Sequence, residues 1–231
     1  MEHNMKVIFE GGGFPAFWYG IGYGSKLIKQ INPCLIAGYS AGALVAAVLV
    51  CSDYTIDDLV ELYSEASTFN KCGGISRFVT SMMENILPTD AHTRANDKLA
   101  IIVCDPNNNS KCKIISKWES CDELIKCLVA SCYIPCMMEC LRMTDERYDC
   151  RDAIFSTDLP DVLDCFNIVV HHTPYVGFDI GRLCQNLNVP SYDKTMSLVL
   201  DGERDCKLKI NHANRCYKCL YKDINNKKIE T

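Results

Sequence analysis

Gly38-Tyr39-Ser40-Ala41-Gly42 has the pattern by which a serine nucleophile is often presented. It lies inside CLIAGYSAGALVAAVLVC, residues 34 to 51, a run of eighteen residues without a charge. A membrane helix of that length is at the short limit. Gly38, Ser40 and Gly42 also weaken any continuous helix through the run. A buried strand, a sharp turn and a buried helix explain the same residues better. Ser40 then stands on the turn, with small residues at both flanks so that no Cβ clashes. Its Oγ lies at the N-terminus of the helix that begins at Ala41, where the partial positive charge favours developing negative charge.

A second cluster is Gly11-Gly12-Gly13, which follows the apolar stretch MKVIF, residues 5 to 9. Residues without a Cβ let backbone N–H groups approach a ligand closely. Acyl transfer needs such donors for the oxyanion of its tetrahedral intermediate. Gly11-Gly12-Gly13-Phe14-Pro15-Ala16 also satisfies GxGxxA, the fingerprint of a dinucleotide loop. No acidic residue follows at the ribose-binding distance, which weakens that reading. The absence of a following GK[ST] excludes a P-loop. A third cluster, Cys206, His212, Cys216 and Cys219, has the spacing C-x5-H-x3-C-x2-C and makes a candidate structural zinc set.

His171, His172 and His212 lie downstream of Ser40, so a serine–histidine–acid triad is allowed by order. The position of Ser40 argues against it. The elbow of an α/β-hydrolase follows several strands, whereas at most one, 5 to 9, precedes the elbow's own strand here. His171-His172 ends an apolar strand and reads as structural.

The elements that must position these groups alternate. Residues 5 to 9 and 34 to 37 read as buried strands, and 15 to 30 as a helix interrupted by Gly20, Gly22 and Gly24. Ala41 to Cys51 reads as a helix, and Thr55 with Asp57 and Asp58 marks the start of another. LAIIVC, 99 to 104, and CKIIS, 112 to 116, read as strands around Asp105-Pro106-Asn107-Asn108-Asn109. A helix is expected over 121 to 133, ended by Pro135. FNIVV, 166 to 170, reads as a strand, and MSLVL, 196 to 200, is a further candidate. The alternation predicts an α/β fold with a largely parallel sheet.

The chain has 231 residues, of which 48% are apolar, ample for one core. A net charge of −5 argues against nucleic acid as a partner. The N-terminus lacks a basic segment followed by a long apolar one, so no export signal is expected. Sixteen cysteines then suit a reduced, cytoplasmic protein in which they serve as small apolar residues; Cys127, Cys132, Cys136 and Cys140 fit helical spacing. From Arg204 to Lys228 there are eight Lys or Arg and two acids. Such a stretch suits a solvated tail or peripheral contact with an anionic membrane.

A strand, then GGGF, then GYSAGAL about 25 residues later resembles the patatin-like phospholipase family, and within it the animal adipose triglyceride lipase branch. DELIKCLVASCYIPCM, residues 122 to 137, resembles that branch's helix and Ser-Cys-x-Ile-Pro segment. The resemblance covers roughly residues 5 to 175. It implies a three-layer fold, a central mostly parallel sheet flanked by helices; the change in composition sets the domain at residues 1 to 200 and a Cys/Lys-rich tail at 201 to 231. It also implies a Ser–Asp dyad without histidine, whose Asp lies in a D-G-G/A motif with proline eight residues later. Asp152 keeps that spacing to Pro160, with Asp149 as the alternative acid.

The sequence departs from the pattern at three places. Glu10 stands where many members have Asp, and Ala153 and Ile154 replace both glycines after Asp152. If the first glycine's backbone is left-handed, alanine there costs about 1–2 kcal/mol. The implied chemistry is lipid acyl hydrolysis: Ser40 attacks an ester carbonyl, Asp152 takes its proton, and the N–H groups of Gly11, Gly12 and Gly13, with that of Ala41, hold the oxyanion. No cofactor is needed. Phe14, Phe17, Trp18 and Tyr19 are candidate walls for an acyl chain, or ordinary core. The partner expected is a lipid ester, with peripheral contact to a membrane or lipid droplet. The alternatives are a catalytically silent lipid-binding relative, and a nucleotide-binding domain using the glycine loop.

Overall fold

A computed structural model describes residues 5–66, 74–135, 138, 150–172, 187 and 190–210. The chain begins β1 (Lys6–Phe9), α1 (Gly13–Ile31), β2 (Leu35–Gly38) and α2 (Ala41–Cys51). Then come α3 (Ile56–Ala66), α4 (Gly74–Ile86), α5 (Ala91–Ala95), β3 (Leu99–Asp105), β4 (Lys111–Ile115) and α6 (Cys121–Ser131). The last elements are β5 (Arg151–Asp152), α7 (Leu159–Leu163), β6 (Ile168–Val170) and α8 (Tyr192–Ile210).

The strands form one sheet in the order β4-β3-β2-β1-β6. β1 runs parallel to β2 and β6, and β2 parallel to β3, while β4 returns antiparallel from the hairpin after β3. Alternate residues face opposite ways. Val7, Phe9, Ile36, Leu99 and Ile101 pack beneath α1 and α2, while Ile8, Ala37, Ala100 and Ile102 pack on the other face with Leu159 and Leu163. Helices therefore cover both faces, which explains why the strands are apolar throughout. The α/β expectation with a mostly parallel sheet is what the molecule has.

α2 accounts for the charge-free run. It lies against the sheet with α1 over it, and only Leu49 and Val50 of its residues are not buried. Among the described residues no helix is long and apolar enough to cross a membrane. Start signals also hold at α3: the Thr55 hydroxyl accepts from the Asp58 N–H (3.2 Å), and the Asp58 carboxylate accepts from the Thr55 N–H (2.9 Å).

One expectation fails. MSLVL, 196 to 200, is helical, inside α8, rather than a strand. Thr195, Leu198, Val199 and Cys206 are buried, with Gly202 between them, at the i, i+3, i+4, i+7, i+11 spacing of one helix face. That face packs along α1: a Cβ on Gly22 would stand 2.0 Å from the Val199 carbonyl oxygen, and one on Gly202 2.1 Å from that of Tyr19. Residue 200, the boundary drawn between domain and tail, falls within this helix.

Candidate active site

β2 ends at Gly38, and the chain turns at once into α2. Ser40 sits on that turn at φ 54°, ψ −134°, a backbone state that non-glycine residues seldom adopt. The two glycines of the motif permit the approach. A Cβ on Gly38 would lie 2.2 Å from the Gly42 carbonyl oxygen, and one on Gly42 2.0 Å from that of Phe9. They let α2 start directly on top of β1 and β2.

Gly11 approaches from the end of β1. A Cβ there would lie 2.8 Å from Ser40 Cβ and 3.3 Å from its Oγ, so only glycine brings this backbone alongside the hydroxyl. Gly12 and Gly13 take φ of 143° and 70° and turn the chain into α1. Two helix N-termini, those of α1 and α2, thus meet at Ser40. The positive ends of both helix dipoles make the spot favourable for an anion.

The acid arrives by a route that topology explains. β2 pairs with β3 only as far as Gly38 opposite Ile101. Beyond that point β3 still needs a partner on that edge, since Val103 pairs with Lys113 of β4 on the other. The short β5 fills the vacated edge, with Asp152 opposite Val103. The residue that takes over from the elbow strand is thereby set beside the elbow. Asp152 is 2% exposed. Its carboxylate accepts a hydrogen bond from the Ile154 N–H at 3.0 Å. Burial pushes its pKa up to about 6, against the downward pull of the Ser40 hydroxyl and of the Ile154 N–H.

Ala153 does not bring the anticipated strain. It lies in a 3-10 turn, Ala153–Phe155, outside the left-handed region. The bond to Asp152 comes from the backbone of Ile154, which any residue can supply. Asp149, the alternative acid, lies outside the described residues, as do His212, Cys216, Cys219, Cys136 and Cys140. Cys206 is buried within α8, and among the described residues no His, Cys, Asp and Glu group has the arrangement of a metal site.

Ser40 and Asp152 open onto a cavity of about 80 Å³ that Gly11, Gly12 and Gly13 also line. Its walls are apolar: Phe14 and Phe17 of α1, Leu44 of α2, Val79 of α4, with Ile134 and Met138. Of the four aromatic wall candidates only Phe14 and Phe17 are among the lining residues; Trp18 is core, and the Tyr19 hydroxyl donates to Asp205 of α8 (2.9 Å). Neither His171 nor His172 lines the cavity. The His171 Nδ1 instead lies 3.8 Å from a carboxylate oxygen of Glu10, on the neighbouring strand end, and the His172 ring lies 5.2 Å from that of Tyr19. Burial raises the Glu10 pKa to about 7.

Ser131, at the end of α6, is a site residue that its own segment does not signal: its role comes from a contact between residues 91 positions apart. Ser131 Oγ accepts the Ser40 N–H at 2.9 Å and donates to the Ile102 carbonyl at 2.9 Å. No local spacing signals such a pairing.

Comparison with known proteins agrees with this architecture. The family model described as patatin-like phospholipase matches residues 7–158. The chain is 30% identical over 122 residues to patatin-like phospholipase domain-containing protein 4 of Homo sapiens, covering 49% of this chain and 47% of that protein. It is 30% identical over 173 residues to patatin-like phospholipase domain-containing protein 2 of Rattus norvegicus, covering 69% and 36%. It is 27% identical over 149 residues to the Mus musculus 1-acylglycerol-3-phosphate O-acyltransferase Pnpla3, covering 58% and 35%. The matches span between 35% and 47% of the length of these relatives. With a family match over more than half its length, on a sheet and elbow of this construction, the chain belongs to the patatin-like phospholipase family.

Proposed function

We propose that the protein is a lipid acyl hydrolase that cleaves carboxylic esters through a Ser40–Asp152 dyad. The observation that carries the reading is a buried carboxylate, Asp152, set beside the Ser40 turn where both line an apolar cavity. Ser40 Oγ attacks the ester carbonyl as Asp152 takes the hydroxyl proton. The carbonyl oxygen becomes an oxyanion, held by the N–H groups of Gly11, Gly12 and Gly13 and by that of Ala41. Collapse breaks the ester C–O bond, and the leaving alcohol takes the proton back from Asp152. A water then attacks acyl-Ser40 with the same carboxylate as base, which releases the fatty acid and the free serine. The raised pKa of Asp152 suits a group that must hold a proton briefly near neutral pH.

The apolar walls favour a fatty acyl chain over a polar acyl group, and an insoluble substrate would be met at a membrane or lipid-droplet surface. One relative carries the name of an acyltransferase. The same acyl-Ser40 can pass its acyl group to an alcohol instead of water, so product analysis separates the two outcomes.

Hydrolysis of a short p-nitrophenyl ester and labelling by a fluorophosphonate probe test the reading. Both are expected in the wild type and absent from Ser40→Ala. Asp152→Asn is expected to lower hydrolysis by about 10²–10⁴-fold. Labelling that survives Ser40→Ala removes Ser40 as nucleophile. Full activity in Asp152→Asn, with loss in Asp149→Asn, moves the base. Thermal stabilisation by a nucleotide, with neither hydrolysis nor labelling, favours the nucleotide-binding alternative.

A further inference from the structure

The Ser40 turn holds an unfavourable backbone conformation, and something outside it must keep it there. The local partners are few: Tyr39 N–H donates to the Phe9 carbonyl at 3.3 Å, and the Tyr39 and Ser40 carbonyls are taken by Gly42 and Ala43 of α2. The Ser40 N–H points away from these, to Ser131 Oγ. Ser131 is fully buried, and its own proton goes to the Ile102 carbonyl in the middle of β3. This hydroxyl therefore links the nucleophile's backbone to the rigid centre of the sheet. Two residues on, the Tyr133 carbonyl accepts the Asp152 N–H at 2.9 Å. One turn at the end of α6 thus grips the backbone of both Ser40 and Asp152.

We propose that Ser131 is a positioning residue for the reaction: by accepting the Ser40 N–H while donating to Ile102, it fixes the Ser40 turn against β3 and, through Tyr133, in register with Asp152. The proposal rests on Ser40 as nucleophile and goes beyond it. It has a second consequence. The Ser40 amide is occupied, so it does not serve the oxyanion, which is left to the glycine loop and Ala41. Misplacing reacting groups by about 1 Å can cost on the order of 10²-fold in rate.

The test uses the full chain as wild type, Ser131→Ala and Ser131→Cys. Cysteine is of similar size and keeps only a weak donor and acceptor. Three quantities are measured: amide hydrogen exchange at Ser40 by NMR, the rate of fluorophosphonate labelling per folded molecule, and kcat and KM for the p-nitrophenyl ester. The Ser40 amide is expected to be protected in the wild type and to exchange at least tenfold faster in Ser131→Ala, with Ile102 and other β3 amides unchanged. Labelling and kcat are expected to fall about 10–100-fold with KM within twofold, and Ser131→Cys to recover part of the loss. A purely structural role would lower stability without this split between kcat and KM.

Labelling within twofold of wild type in folded Ser131→Ala overturns the proposal. So does a wild-type Ser40 amide that exchanges like an exposed one, a result that needs no variant to fold. Should Ser131→Ala not fold, the cysteine variant carries the comparison. If the wild type is neither labelled nor active, the hydrolase reading falls, while the exchange of the Ser40 amide still judges the link to Ser131.

Discussion

Asp152 carries opposite demands from chemistry and from folding. As a base it must be ionised, and its pKa of about 6 means that the active form is lost as pH falls through 6. The kcat/KM of the ester reaction is expected to drop about tenfold per pH unit below that point, as a pH–rate profile would show. As a buried group it has the reverse effect on stability. Its native pKa lies above its unfolded value of 3.8, so the native state holds the extra proton between the two. The stability it contributes is full below pH 3.8 and is lost as pH rises towards 6 and beyond. Asp152→Asn is therefore expected to inactivate the protein and yet to raise its stability at pH 8, by up to about 3 kcal/mol in urea unfolding. Glu10 follows the same sign, with its pKa raised from 4.5 to about 7 by burial. Glu10→Gln is expected to flatten the decline of stability between pH 5 and pH 8, with its urea midpoint rising above wild type only at the alkaline end. Ser40 and the glycine loop were legible from sequence because their chemistry is written in contiguous residues. Glu10–His171 and Ser131–Ser40 were not, because each pair joins residues over 90 positions apart that meet only when strands or helices pack.

At the scale of elements, the three glycines of α1 show what sequence pattern alone misjudges. Read as helix weakeners, they are points of close packing. Gly20 and Gly24 face Val45 and Leu49 of α2, and Gly22 faces the backbone of α8. A methyl group at Gly22 has no flexible side chain to displace, only the Val199 carbonyl. Gly22→Ala is expected to cost about 2–3 kcal/mol despite its better helix propensity, lowering Tm by about 5–10 °C in a thermal melt. A Tm at or above wild type would show that α8 can move away from α1 at little cost. The strand misreading at 196 to 200 has the same origin. Five residues, four of them apolar, are too few to show a period, and the helical face emerges only once Thr195, Gly202 and Cys206 are counted with Leu198 and Val199. The strand order was legible only in outline for a related reason: β5 is two residues long, defined by the edge that β2 leaves and not by any propensity of its own.

For the whole molecule, the question is how far the folded unit extends. Residue 200 looks like a boundary in composition, because charge rises after it, yet the contacts cross it. Beyond that point α8 still supplies Gly202 against Tyr19, Glu203 to Lys26 at 3.2 Å, Asp205 to the Tyr19 hydroxyl at 2.9 Å, and the buried Cys206. All of these meet α1, the helix that the glycine loop leads into and whose Phe14 and Phe17 wall the cavity. Cutting the chain after residue 200 would uncover the Tyr19 and Tyr23 face of α1, both rings now 4% exposed. An exposed apolar strip on the helix that opens the site should loosen the site and promote association. A chain ending at residue 200 is therefore expected to unfold at a urea midpoint well below that of the full chain, to lose fluorophosphonate labelling of Ser40, and to elute partly as aggregate on size exclusion. A truncated chain with an unchanged midpoint and an unchanged labelling rate would place the limit of the folded unit at residue 200 after all, and would reduce the contacts of Glu203, Asp205 and Cys206 to surface decoration.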